Sequence, residues 1–174
     1  MGHWRNMILV VIVSMAILHL SHAHNKELPP KKLPPKERAN KEQNDYVDMH
    51  NCIRKALGLP PLCWDNKVAK RAKAWSNKLK NCQLVHSEGG GENLAMGPNL
   101  TALWAVQLWL DERKNYDICK NQCTGACGHY TQVVWKNTKH LGCARVKCDA
   151  PYEGYYAVVC NYDPPGNYIG ERPY

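Results

Sequence analysis

Nine cysteines in a chain of 174 residues narrow the fold more than any other feature. Cysteine at that density is either metal-bound or oxidised. The spacings at Cys119, Cys123, Cys127, Cys143 and Cys148 do not repeat as the paired motifs of a zinc ribbon. Disulfides are therefore expected, and an odd count leaves one thiol without a partner in the chain. The N-terminus agrees with an oxidising destination. Arg5 precedes the apolar run Ile8–Leu20, which ends in Ser21-His22-Ala23, the small-x-small pattern of a cleaved secretory signal. As a helix that run spans only about 20 Å, short of the ~30 Å hydrocarbon core of a bilayer. Residues 1–23 are accordingly expected to be a signal peptide, and the mature protein to be soluble and extracellular.

Residues 24–43 carry Leu-Pro-Pro-Lys twice, at Leu28–Lys31 and Leu33–Lys36, with no apolar period. Paired prolines favour extended polyproline geometry and the lysines keep it hydrated, so a semi-stiff, solvated leader is expected. The remaining residues, 44–174, hold sixteen Lys/Arg against twelve Asp/Glu, a modestly basic domain. Tyr46, Met49, Ile53, Ala56 and Leu57 give a helical stripe that Gly58 and Pro60-Pro61 stop. Asp65 or Asn66 caps a second helix with Val68, Ala72, Trp75 and Leu79 on one side and a basic face on the other. A third helix is expected over Thr101–Lys114, with Leu103, Val106 and Leu110 inward. Asn99-Leu100-Thr101 just before it is an N-glycosylation sequon. Beyond Gly128 the period changes to two, which predicts strands at Tyr130–Trp135, Leu141–Cys148 and Tyr155–Cys160. Helices first and strands later argue an α+β fold. The basic face of the second helix has no recognition motif beside it, so no nucleic-acid partner is expected.

Two segments are more specific. Gly128-His129-Tyr130-Thr131-Gln132-Val133-Val134-Trp135 and Cys160-Asn161-Tyr162-Asp163-Pro164-Pro165-Gly166-Asn167-Tyr168 resemble the two signatures of the CAP superfamily. That superfamily comprises cysteine-rich secretory proteins, antigen-five proteins and plant pathogenesis-related group-one proteins. His50-Asn51 with Arg54, Pro61-Leu62-Cys63-Trp64-Asp65, His86-Ser87, Gly91-Glu92-Asn93-Leu94-Ala95 and Trp109-x-x-Glu112-Arg113 extend the resemblance over residues 44–174, and it is closest to the plant group-one branch.

The resemblance implies a three-layer α-β-α sandwich with a central antiparallel sheet, stabilised by disulfides. It implies a cleft with two histidines and two acids, mapped here to His50, His129, Glu92 and Glu112. Neutral imidazoles beside carboxylates suit Zn²⁺, with Glu92 and Glu112 as the candidate acid–base groups. The competing reading is a charge-assisted hydrogen-bond network that fixes the helices over the sheet. The implied disulfides are Cys82–Cys148, Cys143–Cys160 and Cys123–Cys127, the first closing a loop of about 67 residues worth ~4 kcal/mol in the chain-entropy account. Cys52, Cys63 and Cys119 are additional. Cys52 and Cys63 flank the helix end and are expected to pair, while Cys119 stays unassigned, free, in exchange with Cys123, or linking two otherwise monomeric chains.

Three functions follow. The first is an apoplastic defence protein that binds sterol or related lipid and meets microbial membranes or wall components. The second is a precursor whose last eleven residues, Pro164–Tyr174, are released by a cut between Asp163 and Pro164. The third, ranked last, is a metal-assisted hydrolase or protease using His50, His129 and Glu112. Ser76 and Ser87 lie outside any Gly-x-Ser-x-Gly elbow, which removes serine-hydrolase chemistry.

Overall fold

Residues 155–163 alternate sides with every step, and that alternation organises the molecule. In the computed structural model, which describes residues 33–174, Ala157 and Val159 enter one buried cluster while Val158, Cys160 and Tyr162 enter another. A strand apolar on both faces must be covered on both. The expected signal peptide and the first part of the leader lie outside the described residues.

The elements in chain order are α1 (Pro35–Ala56), β1 (Cys63–Trp64), α2 (Asn66–Ser76), β2 (Glu92–Pro98), α3 (Ala102–Asp111) with a 3₁₀ turn Glu112–Asn115, β3 (Tyr116–Asp117), β4 (Gln122–Cys123), α4 (Gly128–Val133), β5 (His140–Lys147) and β6 (Tyr155–Asp163). The main sheet runs β1-β5-β6-β2, and β3 pairs with β4 in a small hairpin. The β5–β6 and β6–β2 pairs are antiparallel, whereas the short β1 adds a parallel edge. Helix α2 and the turn after it cover one face through Ala72, Leu79 and Cys82. Helices α1, α3 and α4 cover the other through Tyr46, Ala105, Val106, Trp109, Tyr130 and Val133. This is the expected α-β-α sandwich.

Capping explains the helix starts. The Asp65 carboxylate accepts from the N–H groups of Lys67 and Val68 at 2.6 and 3.0 Å, and Thr101 Oγ1 accepts from Trp104 N–H at 3.2 Å. Pro35 sits in the first turn of α1, where its missing N–H costs nothing. The helix therefore begins inside the Lys/Pro-rich stretch, upstream of the expected boundary at residue 44.

Two local expectations are corrected. The expected strand Tyr130–Trp135 is replaced by helix Gly128–Val133, because the Glu112 carboxylate accepts from the backbone N–H groups of His129 and Tyr130 and so caps the turn from outside. The inner face of α3 is Ala102, Ala105, Val106 and Trp109, and Leu103 faces outward.

Disulfides join Cys82–Cys148, Cys123–Cys127 and Cys143–Cys160, the pairs implied by the resemblance. Cys52, Cys63 and Cys119 are free and exposed, so the expected Cys52–Cys63 bond is not formed. Asn51 rather than Cys52 meets the 60–63 return: its side chain donates to Leu62 C=O at 3.0 Å and accepts from Leu62 N–H at 2.7 Å. The next helical position is turned about 100° away.

Gly142 marks the closest approach of α2 to the sheet, since a Cβ there would lie 2.0 Å from Ala69 N and 2.5 Å from Val68 C. Both are backbone atoms and cannot swing aside. Gly142→Ala is expected to cost about 1–3 kcal/mol, read as a lowered midpoint in urea unfolding. An unchanged midpoint would show that the α2–β5 contact is looser than drawn.

Candidate functional site

Helix α1 brings Tyr46, His50 and Arg54 inward at successive i, i+4 positions, and all three are buried. His50 has no solvent exposure. Its Nδ1 lies 2.7 Å from the Tyr46 carbonyl oxygen and its Nε2 2.8 Å from Tyr162 Oη. A carbonyl can only accept, so Nδ1 carries the proton and Nε2 receives the Tyr162 hydroxyl. Burial holds the imidazole neutral, with its pKa pushed down to about 4. Both ring nitrogens are spent, so His50 is no metal ligand and no acid–base group. It is a core histidine, and that corrects the sequence expectation.

The partner that sequence reasoning missed is His86. Its Nδ1 lies 2.9 Å from Glu92 Oε1, and Glu92 is fixed further by Ser87 N–H at 2.9 Å, Ser87 Oγ at 2.6 Å and Asn161 Nδ2 at 3.2 Å. The signal was present in the His86-Ser87 motif six residues before Glu92. A second pair repeats the arrangement. His129 Nδ1 lies 2.6 Å from Glu112 Oε1, and the other Glu112 oxygen accepts from His129 N–H at 2.9 Å. In both pairs the carboxylate orients the ring and leaves Nε2 free, the disposition that supports a histidine ligand or a general base.

The structure thus joins Glu92 to His86 and Glu112 to His129, and brings His50 to neither. The two pairs meet the same end of β2. Glu92 turns toward the α2 side with Asn161, and the next residue, Asn93, donates to His129 C=O at 3.0 Å on the other side. Trp109 separates His50 from His129, with ring centroids 6.2 Å from each. Among the described residues no three His, Cys, Asp or Glu side chains gather as a metal-holding group, so a closed zinc site does not fit. The donor chemistry of His86 and His129 fits only an open one. Ser87 Oγ donates to Glu92 and is not presented to a base as a nucleophile.

The other predicted positions are accessible ones. Asn99 is exposed in a left-handed turn with φ 49°. Pro164 is exposed and Asp163 half-buried, but the tail beyond them is tied down. Thr138 Oγ1 donates to Pro164 C=O, Gly166 N–H to Gln132 Oε1 and Asn167 Nδ2 to Gly128 C=O.

Comparison with known proteins defines the class. The family model for the cysteine-rich secretory protein family, CAP, matches residues 47–162, and the chain belongs to that family. Pathogenesis-related protein 1B of Nicotiana tabacum is 45% identical over 97% of this chain and 92% of its own length. Pathogenesis-related protein 1 of Arabidopsis thaliana is 49% identical over 78% of this chain and 84% of its own. Among solved structures, venom allergen-like protein 4 of Schistosoma mansoni is 35% identical with a TM-score of 0.55, over 82% of this chain and 95% of that one. Na-ASP-1 superposes with a TM-score of 0.63 at 27% identity over 76% of this chain, which spans only 41% of Na-ASP-1.

The buried His50 gives a pH test. Its pKa is lower folded than unfolded, so the unfolded chain binds the extra proton. The stability it contributes is complete above pH 6.5 and is lost as pH falls toward 4. The parent is expected to lose about 3 kcal/mol more than His50→Asn across that window, measured by urea unfolding at pH 7 and pH 4. Equal losses in the two proteins would mean that His50 titrates as a solvated histidine.

Proposed function

We propose that this chain is a secreted plant defence protein that acts on microbes by binding sterols or related lipids. Its plant relatives are named as pathogenesis-related proteins, and three disulfides suit an oxidising, extracellular setting. The observation that carries the lipid reading is on α3. Trp104 is 63% and Leu108 45% exposed, and with Glu112 they follow an i, i+4, i+8 row along α3 into its 3₁₀ turn. A row that is apolar at one end and carries the Glu112–His129 pair at the other matches a molecule with a flat apolar body and one hydroxyl. Any zinc would be held at a free Nε2, of His86 or of His129, where it would supply a Lewis-acid anchor for an oxygen ligand. The hydrolase reading is weaker, because the histidine it needed from α1 is sealed in the core.

Sterol titration of the mature protein, with zinc and with a chelator, tests this. Saturable sterol binding is expected, with affinity reduced about tenfold in Trp104→Ala, whose side chain is exposed enough to leave folding intact. Absence of binding, or equal binding by Trp104→Ala, overturns the reading.

Release of residues 164–174 as a peptide is a second reading, favoured by the exposure of Pro164 and of Ile169. Mass spectrometry of secreted fluid is expected to recover the free eleven-residue species. Finding those residues only within intact protein removes it.

A further inference from the structure

The face of the molecule opposite α3 carries a different chemistry. Between Asn66 and Lys80 stand Lys67, Lys70, Arg71, Lys73, Lys78 and Lys80, with no acidic residue among them. All six are exposed, and none takes part in an ion pair among the described residues. Four of them (Lys67, Lys70, Arg71 and Lys73) are on α2, and Lys78 and Lys80 are in the turn after it. Unpaired like charges so close together repel one another, and an anionic partner relieves that cost.

Beside this helix lies a groove of about 340 Å³, at the small end of the ~300–1,000 Å³ usual for ligand sites. One wall is Arg71, Trp75 and Lys78; the other is Ser87, Glu88 and the 161–165 segment. Gly89 and Gly90 form an open rim, where an added Cβ would meet nothing within 4 Å. The Trp75 indole is fixed rather than loose, since Nε1–H donates to Val85 C=O at 2.8 Å and Lys78 Nζ lies 4.9 Å from the ring centroid.

The lining selects among anionic polymers. A membrane surface needs a broad set of apolar side chains to insert. Beside the groove only Leu84 and Val85 are exposed, whereas the larger outward row Leu103, Trp104 and Leu108 lies on α3, across the sheet. A phosphodiester chain is charged at every unit, and Glu88 and Asp163 on the far wall would repel it. A polymer of acidic sugars has one carboxylate per ring with hydroxyls between. Its carboxylates suit the Arg71 fork and Lys78, and its hydroxyls can donate to Glu88 and Asp163 and bond to Ser87 and Asn161. We propose that α2 and this groove form a docking surface for an acidic, uronate-rich polysaccharide. Ser87 and Asn161 also hold Glu92, so the groove adjoins the His86–Glu92 pair, but it shares no residue with the α3 row of the sterol reading and is tested independently of lipid binding.

The test is calorimetric titration of the mature protein with a galacturonate oligomer, its fully methyl-esterified counterpart, and phosphatidylserine-containing vesicles. Binding of the free acid is expected, weakening as salt rises. The Arg71→Glu/Lys78→Glu variant should lose at least tenfold, and the ester and vesicles should not bind. Lys120→Glu, a charge reversal outside this face, should bind as the parent does, which separates the site from net charge. Near-ultraviolet circular dichroism confirms that each variant is folded. Equal binding by Arg71→Glu/Lys78→Glu, equal binding of the ester, or capture by vesicles but not by the oligomer overturns the proposal.

Discussion

Arg54 is a cation sealed from water with no acid to neutralise it, and the architecture of the α1 side depends on how it is satisfied. Its Nε donates to Pro60 C=O at 2.8 Å, and its terminal nitrogens donate to the carbonyls of Val133, Trp135 and Thr138 at 2.9–3.3 Å. Burial lowers its pKa only to about 10, so it is charged at any physiological pH. A buried charge is tolerable only when every donor finds an acceptor. Here the acceptors come from the return after α1, the end of α4 and the turn before β5. One side chain therefore fixes where three separate segments stop. Each carbonyl orphaned by its loss would cost about 1–3 kcal/mol, a total that a domain of ordinary stability could not absorb.

The same helix transmits that rigidity to the histidine–glutamate pairs. From His50 the hydrogen bonds run through Tyr162 Oη to Asn93 Nδ2, and from Asn93 to the backbone of His129. Asn93 is adjacent to Glu92, so the β2 end carries both pairs on consecutive residues. His50 is thus a positioning residue at the back of the site, two hydrogen-bonded side chains removed from it. Its neutral state matters because an imidazolium there would lose the acceptor that orders the Tyr162 hydroxyl.

Much of this was legible in the sequence, and the failures share a cause. The α+β class followed from the change of period after the third helix, the three layers from the resemblance carried by the two signatures, and the cap at Asp65 was a local signal that held. Only Tyr46 of the deepest row of α1 was legible, because apolar periodicity marks Tyr46, Met49 and Ile53 and passes over His50 and Arg54. Those polar residues are buried only because distant carbonyls and Tyr162 receive them. The same blindness put Tyr130–Val133 in an expected strand, Tyr130–Trp135, since the cap of the helix found there comes from Glu112, a side chain in another element. The cleft histidine that the resemblance implied was mapped to His50 rather than His86, and the sequence does not show which of the two rings has both nitrogens spent in the core. Exposure, not hydrophobic company, is what separates His86 and His129 from His50.

The sheet, finally, does more than bury apolar surface. Because β6 is covered on both faces, the two helical layers share a core boundary but no outer surface, and their solvent faces are free to differ. The α3 layer presents Leu103, Trp104 and Leu108 to water, while α2 and the turn after it present six unpaired cations. Two such faces on one small domain would compete for the same partner if they adjoined, since an anionic polymer would screen an apolar site beside it. Cys82–Cys148 and Cys143–Cys160 tie the sheet to itself and to the turn after α2, which holds the basic layer to its own side of the sheet. The separation of the two chemistries is built into the strand alternation along residues 155–163.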